Sequence, residues 1–172
     1  MSTRRVSRAF SLLTIVYCLI FVLSGPKSAN IAQAATTNLG VQDYEVSGVE
    51  VVLLSVKRTS DGFVTLKWAY QNTTNSPKTI GANTGAMEGA WGAPYSLAWD
   101  VSVGAAGATY KVPPGTHGGL MAGSHAGPAK TVVVGAKQTY ATWAKIAGVP
   151  KDVTKVTVYI QGTDPFEEIP IS

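Results

Sequence analysis

Two histidines and a methionine in one glycine-rich segment are the residues of this chain best suited to bind a metal ion. His117, Met121 and His125 lie in the sequence HGGLMAGSH. Imidazole and thioether ligands together suit copper. Glycine allows the chain reversal that would bring these side chains together, but it does not enforce it. We therefore favour two exposed histidines in a mobile loop and no bound cofactor, with a copper or other transition-metal site as the alternative.

A tryptophan surrounded by small residues is a second candidate for binding. Trp91 lies in the sequence GAWGAP, within a long predicted loop over 81–92. A large aromatic side chain there either plugs one end of the fold or faces outward as a binding anchor. The segment 113–130, which holds both histidines, is a second long loop, and loops of this length are typically functional or disordered. The triplet Asn72-Thr73-Thr74 also matches an N-glycosylation site.

The sequence contains no recognisable catalytic apparatus. Glu167 and Glu168 are adjacent, so on a strand their side chains would point to opposite faces, and nothing pairs the acids as a glycosidase requires. Neither a Gly-x-Ser-x-Gly elbow nor a glycine-rich phosphate loop before a helix is present. The only cysteine, Cys18, lies in an apolar N-terminal run, so the rest of the chain has no thiol. We predict that the protein is not an enzyme.

The N-terminal segment has the three parts of a secretory signal peptide. Three arginines precede an apolar run over 9–23, and a polar stretch then ends in the sequence AQA at 32–34. We expect cleavage after Ala34 and export to the periplasm, the cell envelope or the extracellular space. The apolar run is short for a membrane span, so we expect no stable span after cleavage; retention as an anchor is the alternative.

Removal of this segment changes the charge of the protein. The formal net charge of +4 falls to zero, because four of the 14 basic residues and none of the ten acidic residues precede residue 35. The remaining lysines are scattered singly along the chain. Nucleic-acid binding depends on clustered positive charge, so we expect no nucleic-acid partner.

The rest of the sequence is typical of an antiparallel all-β fold. Apolar and polar residues alternate over 63–70, 95–103 and 155–160, the pattern of half-buried strands. The stretch Val49–Val56 is apolar on nearly both faces, which suits a central strand, and Asp61-Gly62 predicts a hairpin turn. Shorter strand candidates occupy 109–112, 131–134 and 139–144.

These elements predict a two-sheet sandwich of about seven strands, with a barrel as the alternative. A short helical or turn segment is expected over 145–151. Trp68 and Trp99 fall on apolar faces and are expected in the core, and Trp143 is expected to be buried as well. We divide the chain into a signal peptide (1–34), an N-terminal extension (35–48) and a β-sandwich domain (49–172).

Several motifs extend across most of 49–171. They are EVVL at 50–53, TLKW at 65–68, YSLAWD at 95–100, QTYATWA at 138–144 and DPFEEIPI at 164–171. In this order they resemble small bacterial exported immunoglobulin-like β-sandwich domains of unknown function. The resemblance implies an immunoglobulin-like sandwich and an interaction role. Many such domains follow a lipid-modified cysteine, which this chain lacks at the corresponding place.

Taken together, the sequence predicts an exported, non-catalytic binding or structural module of the cell envelope or extracellular space. Its partner is expected to be a protein or a cell-envelope component. The first alternative is the transition-metal protein that uses the histidines and methionine described above. The second is a secreted inhibitor that presents the 113–130 loop to a partner's cleft.

Overall fold

The computed structural model describes residues 38–81, 97–115, 120–123 and 131–172, and it is all-β. Within these ranges it contains ten strands. They are β1 (Gly40–Asp43), β2 (Val49–Arg58), β3 (Val64–Asn72), β4 (Lys78–Ile80), β5 (Ser102–Ala105), β6 (Ala108–Lys111), β7 (Val132–Val134), β8 (Thr139–Ile146), β9 (Lys155–Tyr159) and β10 (Phe166–Pro170). No helix long and apolar enough to cross a membrane occurs in these ranges.

The strands form three antiparallel sheets. The first sheet has the order β1-β2-β3-β8, the second has the order β10-β9-β5-β6, and β4 and β7 form a two-stranded third sheet. Buried side chains from all three sheets belong to one hydrophobic core. This arrangement is consistent with a β-sandwich.

The predicted hairpin between the first two long strands is confirmed. Val64, Leu66, Trp68 and Tyr70 of β3 are all buried, as the period-2 pattern requires. The turn that joins β2 to β3 contains Gly62 at a φ of 86°, a conformation that glycine adopts without a steric penalty. Strand β2 lies between β1 and β3, in agreement with the predicted central strand.

Beneath the first sheet, two tyrosines pack edge to face. The rings of Tyr44 and Tyr70 are 5.1 Å apart with an interplanar angle of 77°, a favourable geometry for aromatic pairs. Burial raises the pKa of the Tyr44 hydroxyl to about 12 and raises that of Tyr70 as well. Both phenols therefore remain neutral in the folded protein under ordinary conditions.

Asp61 links the β2–β3 turn to β8, and this contact predicts an acid-shifted titration. Its carboxylate accepts hydrogen bonds from the Lys145 ammonium at 2.5 Å and from the Thr59 hydroxyl. The Lys145 bond is the largest cause that holds the pKa of Asp61 at about 2, below its usual 3.8. The contribution of this contact to stability is present above pH 3.8 and is lost as the pH falls from there through 2.

We expect NMR titration of the Asp61 carboxyl to give a midpoint near pH 2 in the native protein. Lys145→Met should raise that midpoint toward the ordinary value, because the ammonium donor is removed. Lys151→Met, at an exposed turn, is the matched control and should leave it unchanged. An Asp61 midpoint that Lys145→Met does not move would show that the contact is absent in solution.

The predicted strand over 95–103 is wrong for 97–101 and right for Ser102 and Val103. Leu97 and Ala98 form a short 3₁₀ turn, and β5 begins only at Ser102. Asp100 has a φ of 58°, which ends any extended conformation; aspartate is among the residues that tolerate this region best. Trp99 is consequently half-buried, and the prediction that it lies in the core is wrong.

The prediction that Trp143 is buried is also wrong, because its side chain is 39% exposed. Thr142 and Ala144 face the core and are buried, so Trp143 lies on the outer face, opposite Lys67 of β3. Trp143 Cδ1 would lie only 3.0 Å from a Cβ placed at Gly123. One edge of the indole therefore packs against the backbone of a neighbouring segment.

That neighbouring segment lies within the predicted 113–130 loop and is held against β8. The amide of Gly123 donates to the Trp143 carbonyl, and the amide of Lys145 donates to the Met121 carbonyl, both at 2.8 Å. The expectation of an unstructured loop is therefore wrong for 120–123. An extra strand-like contact with the free edge of β8 satisfies backbone groups that would otherwise need water.

The short helical or turn segment expected over 145–151 is not a helix. Strand β8 continues to Ile146, and only a turn begins at Lys151. The Arg58 guanidinium holds the connection to β9 by donating to the carbonyls of Val149, Pro150 and Val153 at 2.9–3.1 Å. Such charge-assisted bonds fix an irregular backbone without a helix.

The glycosylation triplet lies at the end of β3, and its asparagine is buried. The side-chain nitrogen Nδ2 of Asn72 lies within 3.0 Å of the carbonyl oxygens of Ser76, Val134 and Gly135. Its side-chain oxygen accepts hydrogen bonds from the amide and hydroxyl of Thr74 at 2.9 and 2.8 Å. This side chain joins the first sheet to β7 and is not accessible for modification in the folded protein.

Candidate functional site

An open groove of about 460 Å³ lies over the β5–β6 hairpin, on the outer face of the second sheet. It is lined by residues 104–109 of the hairpin, by residues 155–157 and Tyr159 of β9, and by Glu168 of β10. Its size falls within the range of small-ligand sites. Because it lies on a sheet and a two-residue turn, its walls are backbone elements with fixed positions.

The floor of the groove is formed by an aromatic ring that lies over a glycine. Tyr159 of β9 is 42% exposed. A Cβ placed at Gly104 would lie 3.2 Å from its Cε2 and 3.4 Å from its hydroxyl oxygen. A side chain in place of Gly104 would crowd the ring, so glycine suits this close approach. The hydroxyl end of Tyr159 thereby lies close to the backbone of β5, with part of the side chain open to solvent.

One wall of the groove is the tight turn between β5 and β6. Its two central residues, Ala106 and Gly107, have φ values of 49° and 77°, so the turn has the positive φ at both positions that characterises type I′ hairpins. A left-handed conformation costs a non-glycine residue roughly 1–2 kcal/mol. This cost at Ala106 is offset by the surrounding β5–β6 pairing.

The opposite wall carries an ion pair that depends on a β-bulge. The pairing of β10 with β9 shifts register between Phe166 and Ile169, and Glu168 has a φ of 54°. Bulges re-aim side chains, and here the Glu168 carboxylate accepts a hydrogen bond from the Lys155 ammonium at 3.0 Å. Both side chains are largely exposed, so this pair neutralises charge along the groove and adds little stability.

The bulge also corrects the prediction for the two adjacent glutamates. Glu167 and Glu168 are both exposed and do not alternate between the two faces of β10, because the extra residue breaks the period of two. The Tyr159–Gly104 contact could not be read from a single sequence. The Glu-Glu doublet between apolar residues is the signal that could have indicated a bulge.

Backbone strain in the described chain concentrates around the groove and a smaller pocket. Four non-glycine residues have positive φ values: Asp100, Ala106, Lys137 and Glu168. Two of them line the groove, and Asp100 lines a pocket of about 160 Å³ with Trp99, Lys111 and Leu120. Strained backbone clusters at binding sites more often than elsewhere, which makes the groove the best candidate site.

The residues predicted from sequence are only partly placed. Trp91, His117 and His125 lie outside the described residues. Met121 is half-buried and packs against the hydrophobic core, so its thioether serves as core packing. Within the described ranges, no group of three histidine, cysteine, aspartate or glutamate side chains could hold a metal ion. The metal-site alternative remains a prediction.

Comparisons of this chain with protein-family models, curated proteins and solved structures found no match.

Proposed function

We propose that this chain is an exported, non-catalytic binding module of the cell envelope or extracellular space, and that the groove over β5–β6 is its binding site. The observation that carries the proposal is the partly exposed tyrosine that approaches Gly104 closely in an open groove of about 460 Å³. A fixed, partly exposed aromatic ring offers a large contact area at low entropic cost. Export is supported by the basic, apolar and small-residue order of the first 34 residues.

The chemistry of the lining favours a neutral, hydroxyl-rich ligand such as an envelope polysaccharide. Hydroxyl groups of Thr109, Thr157 and Tyr159 line the groove and can both donate and accept hydrogen bonds. The charges of Lys155 and Glu168 compensate each other, so the groove presents no net charge to a ligand. An envelope component is one of the partner classes expected from the sequence, and the groove supports it over a charged partner.

The immunoglobulin-like classification is part of the same proposal. Two four-stranded antiparallel sheets share one core, and the chain crosses between them after β3, after β6 and after β8. This arrangement supports the resemblance to exported immunoglobulin-like domains. In such folds a rigid double sheet presents a binding surface, and the side chains of that surface determine what is bound.

Tyr159→Ala tests the proposed site. The purified exported protein is titrated against an insoluble cell-envelope fraction from its source, and the free protein is measured after sedimentation. We expect the variant to bind at least tenfold more weakly, because an aromatic anchor typically contributes more than about 1.4 kcal/mol. Soluble polysaccharide released from the same fraction should compete with the native protein.

Val133→Ala is the matched control, since Val133 is 65% exposed on the small third sheet, outside the groove. It should bind as the native protein does. Equal binding by Tyr159→Ala and the native protein would exclude the groove as the site. Failure of the native protein to bind the envelope fraction would contradict the proposed partner class.

A further inference from the structure

Strand register arranges the outer face of the first sheet in four rows that run across the strands. The acidic row is Asp43, Glu50, Gln71 and Thr139. The apolar row is Val41, Val52, Ala69 and Ala141. The tryptophan row is Ser55, Lys67 and Trp143. The lysine row is Lys57, Thr65 and Lys145.

Three of the charges at the two ends of this face are not compensated within the described part of the chain. Asp43, Glu50 and Lys57 form none of the ion pairs found there, whereas Lys145 of the lysine row pairs with Asp61. Gln71 and Thr65 are six residues apart on β3, which separates the acidic and lysine rows by about 20 Å. That exceeds the screening length of about 8 Å at physiological salt.

Between the charged ends lie exposed apolar side chains. Val41 is 45% exposed and Trp143 is 39% exposed, and they are two of the four large apolar residues found exposed in the described chain. Ala141 is also exposed and lies next to Trp143 on the same face of β8. Ser55 and the exposed Lys67 also lie in this band, and Ala69 is buried within it. Exposed apolar side chains with a charged row on either side are typical of an interaction surface.

We propose that this face is the interface of a symmetric homodimer in which two copies pack sheet against sheet. The two-fold axis lies in the interface plane and runs across the strands. That operation places the acidic row of each copy over the lysine row of the other, so Glu50 faces Lys57 of the partner copy. It also places the apolar row over the tryptophan row.

The charge pattern distinguishes this arrangement from the other face-to-face dimer. A two-fold axis parallel to the strands would place the acidic row on itself and the lysine row on itself, and like charges in direct contact oppose association. A symmetric interface must be self-complementary. With opposite charges at its two ends, the face is complementary to itself when the two-fold axis runs across the strands. It is not complementary to itself when the axis runs parallel to the strands.

The size of the face sets the expected strength. Four strands about 4.8 Å apart and a distance of about 20 Å between the first and last rows give a flat area of roughly 300 Å² per copy. Two such faces together cover roughly 600 Å², which is below the size of standard specific interfaces. We therefore expect weak, concentration-dependent association with a Kd of about 10–100 μM that weakens as salt is raised.

Reciprocal charge reversal tests the dimer. Sedimentation velocity of the purified exported protein should show monomer–dimer exchange over about 1–500 μM, the range that spans the expected Kd. Glu50→Lys and Lys57→Glu should each weaken self-association at least tenfold. An equimolar mixture of the two variants should associate at least as well as the native protein, because both cross-interface contacts are then between opposite charges.

Two further variants keep the test decisive. Lys151→Glu, at an exposed turn beyond the end of β8 and outside all four rows, is the control and should not change association. Ala141→Arg places a bulky charge in the apolar row at an exposed position and should abolish the dimer without a change in the circular dichroism spectrum. A protein that stays monomeric up to 500 μM, or a dimer that these variants do not weaken, would overturn the proposal.

Discussion

Asn72→Asp is expected to lower the free energy of unfolding by about 3–5 kcal/mol at pH 7. In the native protein the side-chain nitrogen Nδ2 of Asn72 lies within 3.0 Å of three backbone carbonyl oxygens, and the side chain is almost completely buried. An aspartate of the same shape would present an acceptor to three acceptors. Each unsatisfied buried carbonyl costs about 1–3 kcal/mol, and a buried carboxylate costs more.

This substitution also predicts a pH dependence of known sign. Burial and the facing carbonyls should raise the pKa of the introduced carboxyl above the usual value of about 3.9. The protonated form can donate to one carbonyl, whereas the ionised form can donate to none. The loss of stability should therefore be smaller at pH 3 and grow as the pH rises. Urea denaturation at pH 3 and pH 7 measures both values.

Asn75→Asp provides the matched control, because Asn75 is exposed only three residues away. We expect it to change stability by less than about 0.5 kcal/mol at either pH. A loss below 1 kcal/mol for Asn72→Asp at pH 7 would show that the amide does not carry the contact between β3 and β7. The glycosylation triplet would then have to be reconsidered as an accessible site.

The two long central strands could be predicted because each satisfies several local rules at once. Strand β3 alternates cleanly over Val64–Tyr70, and Asp61-Gly62 supplies the turn that joins it to β2. Nothing local competes with this pattern. The short strands β1, β4 and β10 were missed, whereas the equally short β6 and β7 were found because they lie in the β-branched or aromatic runs at 109–112 and 131–134.

Other predictions failed because a single residue changes which face of the strand the following side chains occupy, or because a polar residue faces the core. The apparent alternation before β5 is interrupted by the left-handed conformation of Asp100, which the period-2 pattern does not reveal. In β8 the polar Thr142 faces inward, so the choice of the less polar face assigned Trp143 to the wrong side. Alternation gives the spacing of a face, but burial depends on which neighbours cover it.

The candidate groove and the proposed dimer face both depend on contacts between strands that are distant in sequence. Lys57, Lys67 and Lys145 are scattered along the chain, yet antiparallel register brings them to adjacent positions on one face. Tyr159 meets Gly104 for the same reason, 55 positions apart in sequence but on paired strands. Composition indicated a neutral mature protein, and only the register shows that its charges are separated.

Trp68→Ala is expected to destabilise the protein by about 3–5 kcal/mol, the usual range for removal of a buried large aromatic side chain. Trp68 is fully buried in the centre of β3, between β2 and β8, and its side chain belongs to the shared core. Truncation leaves a cavity that the surrounding sheets cannot close, since both are constrained by their backbone pairing. Urea denaturation, followed by circular dichroism, measures the change.

Trp143→Ala is the matched control, because it removes the same side chain from the outer face of the adjacent strand β8. Because 39% of the Trp143 surface is exposed, we expect the free energy of unfolding to fall by less than about 1 kcal/mol. The two tryptophans have similar sequence surroundings, with threonine close to each on its strand. Equal losses for the two variants would contradict the assignment of the inner and outer faces of the first sheet, and the four-row surface proposed for dimerisation would fail with it.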